Sequence, residues 1–474
     1  MIVLDRIFVT IVLALAASVL ATEVIGTTWT RPVAAWLFVA FSVLGQARFG
    51  LRERFLQAIA AATVVATLLT RDDQWPLIER GLYLAGYLTT FMVLITSLRD
   101  GAHRSNSVLA IGRYLTERPP GRRYTALYLG GHLMGVLLNF GAISLLGPMI
   151  QRGVKAQSAG APELVARIRE QRQLVALTRG FAWFNLWAPT SIALATTMTI
   201  IPDARPGWIA VFGIAIALLL LGVGWIEDRV RGNRASAALR RQGYATPQLP
   251  SPPFPLVAVL KFLTVGVVLV GAGWSVAHLV HIRLVTGVFV VCVPVAAAWL
   301  VVQYLDGSAP EPGPVATITE MLLRSAPGGC REAATLALAG MTGALASEFV
   351  DAHSLSGLFS LSDVPQAALL VFLAGIIPIG SCLALPPILS VTFFGTLLVG
   401  LPELGINHTL LALALLCGWS LNLTGSPFSA ASLVLQRVTG VPGTTHSWRW
   451  NGVYTLLAFL VAAAMLLVLS TVFA

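Results

Sequence analysis

Two short stretches set a carboxamide, a helix breaker and hydroxyls together in apolar surroundings. One is WFNLWAPTSIAL, with Asn185, Leu186, Pro189, Thr190 and Ser191; the other is SLNLTGSPFSAASL, with Asn422, Leu423, Thr424, Gly425, Ser426, Pro427 and Ser429. Upstream of each lies another interrupted run, LLNFGAISLLGP with Asn139, Gly141, Ser144 and Pro148, and PIGSCLALPP with Gly380 and Ser381. The chemistry these residues predict is non-covalent capture. In hydrocarbon an unpaired backbone N–H or C=O is costly, so an unwound helix persists only where protein, water or a ligand supplies partners. Half-helix N-termini offer free N–H groups and roughly half a positive charge, which suits a carboxylate or oxyanion. Free carbonyls at half-helix C-termini suit a cation such as Na⁺, the expected coupling ion. Asn139, Gly141, Ser144, Asn185, Pro189, Thr190, Ser191, Gly380, Ser381, Asn422, Thr424, Gly425, Ser426 and Pro427 are therefore the candidate substrate-binding residues. Asn185 and Asn422 are expected to line one cavity from opposite halves of the chain. The competing reading takes Gly, Pro and Ser as packing and kink residues of membrane helices, and it fits the isolated Pro148 best.

No catalytic constellation accompanies them. There is no GxSxG, HExxH, Walker loop or GxGxxG after a strand, and no carboxylate pair on a helix face, so no enzymatic activity is expected. Cys292, Cys330, Cys382 and Cys417 are scattered, without CxxC or Cys/His spacing, and imply neither a metal site nor a disulfide framework. Acids are scarce inside the apolar runs. Glu23, Glu320, Glu332 and Glu348 lie near span ends or in amphipathic segments, which disfavours a proton relay; Glu348 with Asp351 is the first choice if one exists. His132, two turns before Asn139, reads as either a pore-facing or a satisfied interior histidine. Arg437 reads as a helix-end arginine facing head groups, with an anion contact as the alternative. Lys261 is expected to snorkel to the interface.

The elements that must position these residues follow from composition. Of 474 residues, 31 are Lys or Arg and 21 Asp or Glu, so 11% are charged where soluble domains carry roughly a quarter. The hydrophobic fraction is 56%, about 265 residues, enough for about twelve spans of ~20 residues. Mean hydropathy is +0.80. An all-α polytopic integral membrane protein is the class that fits, which excludes an ordinary soluble enzyme, a disordered chain and a β-barrel. The expected spans are 7–26, 32–48, 55–70, 81–98, 124–150, 180–202, 207–226, 255–278, 284–304, 364–400, 406–436 and 452–473, giving about 11 or 12 transmembrane helices. The first resembles a signal peptide in its flanks but has the length of a span. The net charge of +10 is almost wholly arginine, concentrated at 48–54, 99–123, 152–179 and 227–241. It reads as positive-inside topology rather than nucleic-acid binding.

The stretch 227–254, charged and then Pro/Ser-rich, reads as a cytoplasmic linker dividing two related, inverted repeats at 55–226 and 255–474, after N-terminal helices at 1–54. All four arginine clusters share one side if 124–150 enters and returns as a re-entrant hairpin bending at Asn139, Phe140 and Gly141. Otherwise 124–150 crosses as a broken helix and the 152–179 arginines are exceptions.

The segment LRDGAHRSNSVLAIGRYLTERPPGRRYTALYLGGHLMGVLLNFGAISLLGPMI resembles the first-half hairpin and broken helix of the ion-transporter superfamily, which includes divalent anion/sodium symporters, citrate transporters and arsenite permeases. Asn139 occupies the Asn position of that superfamily's Asn-Asn-Thr element, Gly141 stands where Thr is typical, and Leu145, Leu146 and Pro148 match the following run. Gly380 and Ser381 sit at the equivalent second-half break, where the Asn-Asn-Thr core is absent, and NLTGSPFSAASL resembles the later Gly/Asn/Thr-Pro-x-Gly loop. The resemblance implies a scaffold and a moving transport unit in a homodimer, with substrate at hairpin and broken-helix tips. The function expected is secondary, elevator-type symport of a small anionic solute across a bacterial inner membrane. The alternative is a membrane-embedded subunit of an export or lipid- or polymer-handling assembly.

Overall fold

The computed structural model describes residues 3–103, 105–158, 161–241, 253–306, 313–350 and 365–473. The described residues form an all-α integral membrane protein. Eight of their helical stretches are long and apolar enough to cross a bilayer, fewer than the twelve apolar runs suggest. Three of the missing runs, 124–150, 180–202 and 364–400, fold as shorter helices joined by turns, and the fourth, 32–48, yields a helix of only 15 residues. Asp351 and residues 242–252 of the linker lie outside the described residues.

The N-terminal part comprises α1 (Val3–Ile25), α2 (Thr30–Leu44), α3 (Leu51–Thr70) and the 30-residue α4 (Gln74–His103). Helix α5 (Asn106–Thr116) leads into α6 (Pro120–Leu138) and α7 (Gly141–Gln157). Then come α8 (Glu163–Trp183), α9 (Ile192–Ile200) and α10 (Pro206–Arg241), whose last turns take up the charged start of the linker. The second half holds α11 (Leu256–Val280), α12 (Leu284–Leu305), α13 (Pro314–Gly328) and α14 (Cys330–Ser347). It continues with α15 (Gln366–Cys382), α16 (Pro387–Val399), α17 (His408–Gly425), α18 (Ala430–Thr439) and α19 (Gly452–Val472).

Packing resolves the alternatives for 124–150. Arg123 lies near Arg169 and Arg172, His132 bonds Gly180 and Gly135 faces Phe184, so α6 runs parallel to α8. Phe140 packs on Phe181, Gln151 bonds Glu170 and Arg169 bonds Gln157, so α7 runs antiparallel to it. The run is a hairpin that turns at Asn139 and Phe140. A Cβ at Gly131 would sit 2.6 Å from Leu177 O, a close approach that lets α6 lie directly on α8. Arg123, Arg169, Arg172, Arg179 and Arg231 thereby gather at one end, where Arg172 pairs with Asp228 and Glu227 with Arg179 and Arg231.

The second hairpin, α15 and α16, comes from the other end. Its α15 runs alongside α17, from Asn407–Gln366 to Cys382–Gly425, and α16 returns to place Gly395 against Ile200. The broken pairs α8–α9 and α17–α18 likewise run in opposite directions. His408, at the start of α17, pairs with Asp203 just after α9, whereas Thr439, at the end of α18, accepts a bond from Gln151 on α7. Against these elements stands a buried antiparallel pair, α4 and α14, in close register where Gly81 meets Leu345 and Gly340 meets Leu88.

Candidate functional site

A cavity of about 740 Å³ lies where the two hairpins and the two broken pairs meet α4 and α14. Four helices begin on its wall. Phe140 precedes α7, Ile192 opens α9, Pro386 and Pro387 open α16, and Ala430 opens α18. Their positive dipole ends converge on one volume. Two of these starts are capped by serine: Ser191 Oγ accepts from Leu194 N at 3.4 Å, and Ser429 Oγ from Ser432 N at 3.2 Å. The hairpin helices α7 and α16 start without a side-chain cap.

The closed end of the cavity carries unpaired carboxamides. Asn139 is the residue at the hairpin turn, with φ 49° and ψ −132°, and its Nδ2 has no hydrogen-bond partner. Asn422 is fully buried in the last turns of α17, and neither Oδ1 nor Nδ2 is bonded. Trp419, one turn earlier on the same helix, lines the cavity beside it. The open side is charged: Arg48, Arg52, Arg99, Arg331 and Arg437 against Glu53, Asp100 and Glu332, five positive groups to three negative. Glu53 is buried and held by Gly50 N–H at 2.7 Å and by the Arg331 guanidinium. This balance gives the open side a net positive potential, while the closed end offers hydrogen-bonding groups without a formal charge.

The predicted residues divide by position. Asn139, Ser144 and Asn422 line the cavity, and Ser144 Oγ donates back to Phe140 O at 3.2 Å. Gly141 is the first residue of α7. Asn185 does not line the cavity with Asn422. It is buried in the turn after α8, where its Nδ2 donates to Ala182 O at 3.2 Å and its Oδ1 accepts from Ser191 Oγ at 2.8 Å. Thr190, following Pro189, donates to Val136 O at 2.5 Å, tying the first break to the first hairpin. Ser426 donates to Ser381 O at 2.7 Å and does the same for the second. Gly380 lies within α15, which continues to Cys382, so the chain turns at 383–386 rather than at Gly380 and Ser381. Ser381 Oγ is buried without a partner, off the cavity wall. Thr424 Oγ1 accepts from Thr455, Gly425 ends α17, and Pro427 lies in the turn with its carbonyl against Gly443.

The Asn-Leu pairs are one residue out of structural register. Ser191 N donates to Ala188 O, and its Oγ donates to Asn185 O at 3.4 Å; Ser429 N donates to Ser426 O, and its Oγ donates to Leu423 O at 3.4 Å. Pro189 therefore matches Pro427, Asn185 matches Leu423, and Asn422 matches Phe184. A shift of one residue turns a helical side chain by about 100°, which separates a cap-facing amide from a cavity-facing one.

His132 is the satisfied interior histidine: Nδ1 bonds Gly180 O at 3.0 Å and Nε2 accepts from Trp187 Nε1 at 2.8 Å. Arg437 is in the last turn of α18, exposed, and lies on the cavity's open side. Trp419 and the arginines at 48, 52, 99 and 331 are cavity residues that the search for broken spans passed over. For Arg48, Arg52 and Arg99 the signal available was charge clustering, read only as topology; Arg331 and Trp419 lie outside the clusters.

No family model matches the sequence, and no characterised protein sequence matches it significantly. The fold is similar to the crystal structure of the YdaH transporter of Alcanivorax borkumensis, with TM-score 0.55 and 16% identity over 88% of this chain and 98% of that one. MtrF of Neisseria gonorrhoeae, described within a class of antimetabolite efflux pumps, aligns with TM-score 0.48 and 12% identity over 88% of this chain and 94% of its own.

Proposed function

We propose that this chain is a secondary active transporter of a small anionic solute. The observation that carries the reading is Asn422: a fully buried carboxamide on a cavity wall, with both polar atoms unbonded, opposite the equally unbonded Asn139 Nδ2. Burying such groups without partners is costly, and a ligand arriving through the arginine-lined side removes the cost. The four helix N-termini supply the positive potential an oxyanion needs. The likeness in fold to a transporter supports the reading, as do two hairpins that reach the cavity from opposite ends of the molecule. In this proposal the arginine-rich end is cytoplasmic, the membrane is a bacterial inner membrane, Na⁺ is the coupling ion, and the protein works as an elevator-type homodimer related to the ion-transporter superfamily.

Proteoliposome uptake tests it. A panel of carboxylates and oxyanions is expected to yield one solute whose uptake saturates and follows an imposed Na⁺ gradient. Asn422→Leu should lower that uptake at least about tenfold at sub-saturating solute, with folding and insertion intact. Unchanged uptake in both Asn422→Leu and Asn139→Ala removes the site; copurification of a stoichiometric partner with no flux of any solute removes the transporter reading.

A further inference from the structure

A second set of unpaired polar groups lies at the arginine-rich end, away from the cavity, where α6, α7 and α8 meet. Arg123, Arg169 and Gln173 are 6%, 7% and 1% exposed. Each arginine is partly engaged: Arg123 Nε donates to Arg118 O at 2.7 Å, and Arg169 Nη1 donates to Gln157 O at 2.7 Å and Ser158 Oγ at 3.2 Å. Their remaining forks are open. Arg123 Nη2 and Arg169 Nη2 are buried without an acceptor, both amide atoms of Gln173 are unbonded, and so is Gln157 Oε1.

The neighbouring carboxylates are committed elsewhere. Asp228 receives two bonds from Arg172 at 2.8 and 2.6 Å, Glu227 is held by Arg179 and Arg231, and Glu170 by Gln151. Arg123 thus faces the like charges of Arg169 and Arg172, with Asp228 as the opposing charge. Asp228 matches Arg172, so among the described ion pairs Arg123 and Arg169 are left without a carboxylate partner, a positive surplus that suits a phosphate-class oxyanion. Buried guanidinium groups without a counter-ion are a costly arrangement, and their planar forks match tetrahedral oxyanions.

We propose that Arg123, Arg169 and Gln173 form a binding site for a phosphate-class oxyanion, separate from the transport cavity. Arg123 Nη2, Arg169 Nη2 and Gln173 Nε2 supply the donors. The unbonded oxygens of Gln157 and Gln173 select a ligand that also bears an O–H, which hydrogen phosphate and the glycerol head group of phosphatidylglycerol both do. Arg123 stands in the first turn of α6 and Arg169 holds the last turn of α7, so the bound ion ties both arms of the first hairpin to α8.

The test uses purified, delipidated full-length protein. Its melting midpoint is expected to rise by about 2–4 °C in sodium phosphate over sodium chloride of equal ionic strength, or with phosphatidylglycerol over phosphatidylcholine. A rise in phosphate alone assigns the site to a free oxyanion, and a rise with phosphatidylglycerol alone assigns it to a lipid head group. Arg123→Gln should lose the rise. Arg169→Glu, which supplies a carboxylate beside Arg123 from within but gives up the bonds to Gln157 O and Ser158 Oγ, should still show a cooperative melt and also lose the rise. A wild-type midpoint that responds to neither ligand beyond its control overturns the proposal, and so does a full response retained in Arg169→Glu.

Discussion

The two breaks, 184–191 and 422–429, are built from nearly the same residues and do different work. Each has a proline, a capping serine two residues later and an Asn-Leu pair before it. In the first, the asparagine is spent inside the turn: Asn185 bonds Ala182 O and Ser191 Oγ and is closed to the cavity. In the second, one extra residue between Asn and Pro rotates the amide out of the turn, and Asn422 reaches the cavity wall unbonded. The comparison teaches that cap position, not the recurring dipeptide, fixes which side chain serves the helix and which faces the cavity.

The largest effect that can break this contrast is on uptake. Asn422→Leu is expected to reduce solute affinity by about 10- to 150-fold, the range of hydrogen bonds to a charged partner, with a ligand-free melting midpoint at or above that of the wild type. Asn185→Leu should do the reverse. Its loss leaves Ser191 Oγ and Ala182 O short of a partner, so denaturation should show a destabilisation of about 1–3 kcal/mol while KM stays near wild type. If Asn185→Leu changes KM and spares stability, the register described above is wrong. Next in size, Ser191→Ala and Ser429→Ala each remove a cap and should cost ~1 kcal/mol, alike in both halves because the cap geometry is alike. The smallest effect sharpens the picture at the cavity's open side. Arg437→Gln, at an exposed position, should raise KM only about two- to fivefold and weaken its dependence on ionic strength.

Much of the fold was legible in the sequence. The membrane class follows from composition, and the interrupted runs follow from Asn, Gly and Pro in apolar surroundings. The 124–150 run was ambiguous because 27 residues of helix span about 40 Å, long enough to cross and long enough to bend, and only packing against α8 decides. The second hairpin's turn fell a few residues past Gly380 because glycine and serine are tolerated within a helix, whereas Pro386 and Pro387 cannot continue one. The cavity's charged side was hidden for another reason. Arg48 and Arg52, Arg99, and Arg331 come from three separate places in the chain, and no local pattern distinguishes an arginine on a cavity wall from one facing lipid head groups. Trp419 carries no signal beyond its apolar neighbours.

Asn139 occupies a backbone conformation that only glycine adopts without strain, at a cost of about 1–3 kcal/mol drawn from the packing of α6 and α7 around it. That investment is made at folding, and it fixes where the Asn139 side chain leaves the backbone, on the cavity wall. Asn139→Gly would make the turn easier to form while removing the carboxamide that the proposed function assigns to the ligand.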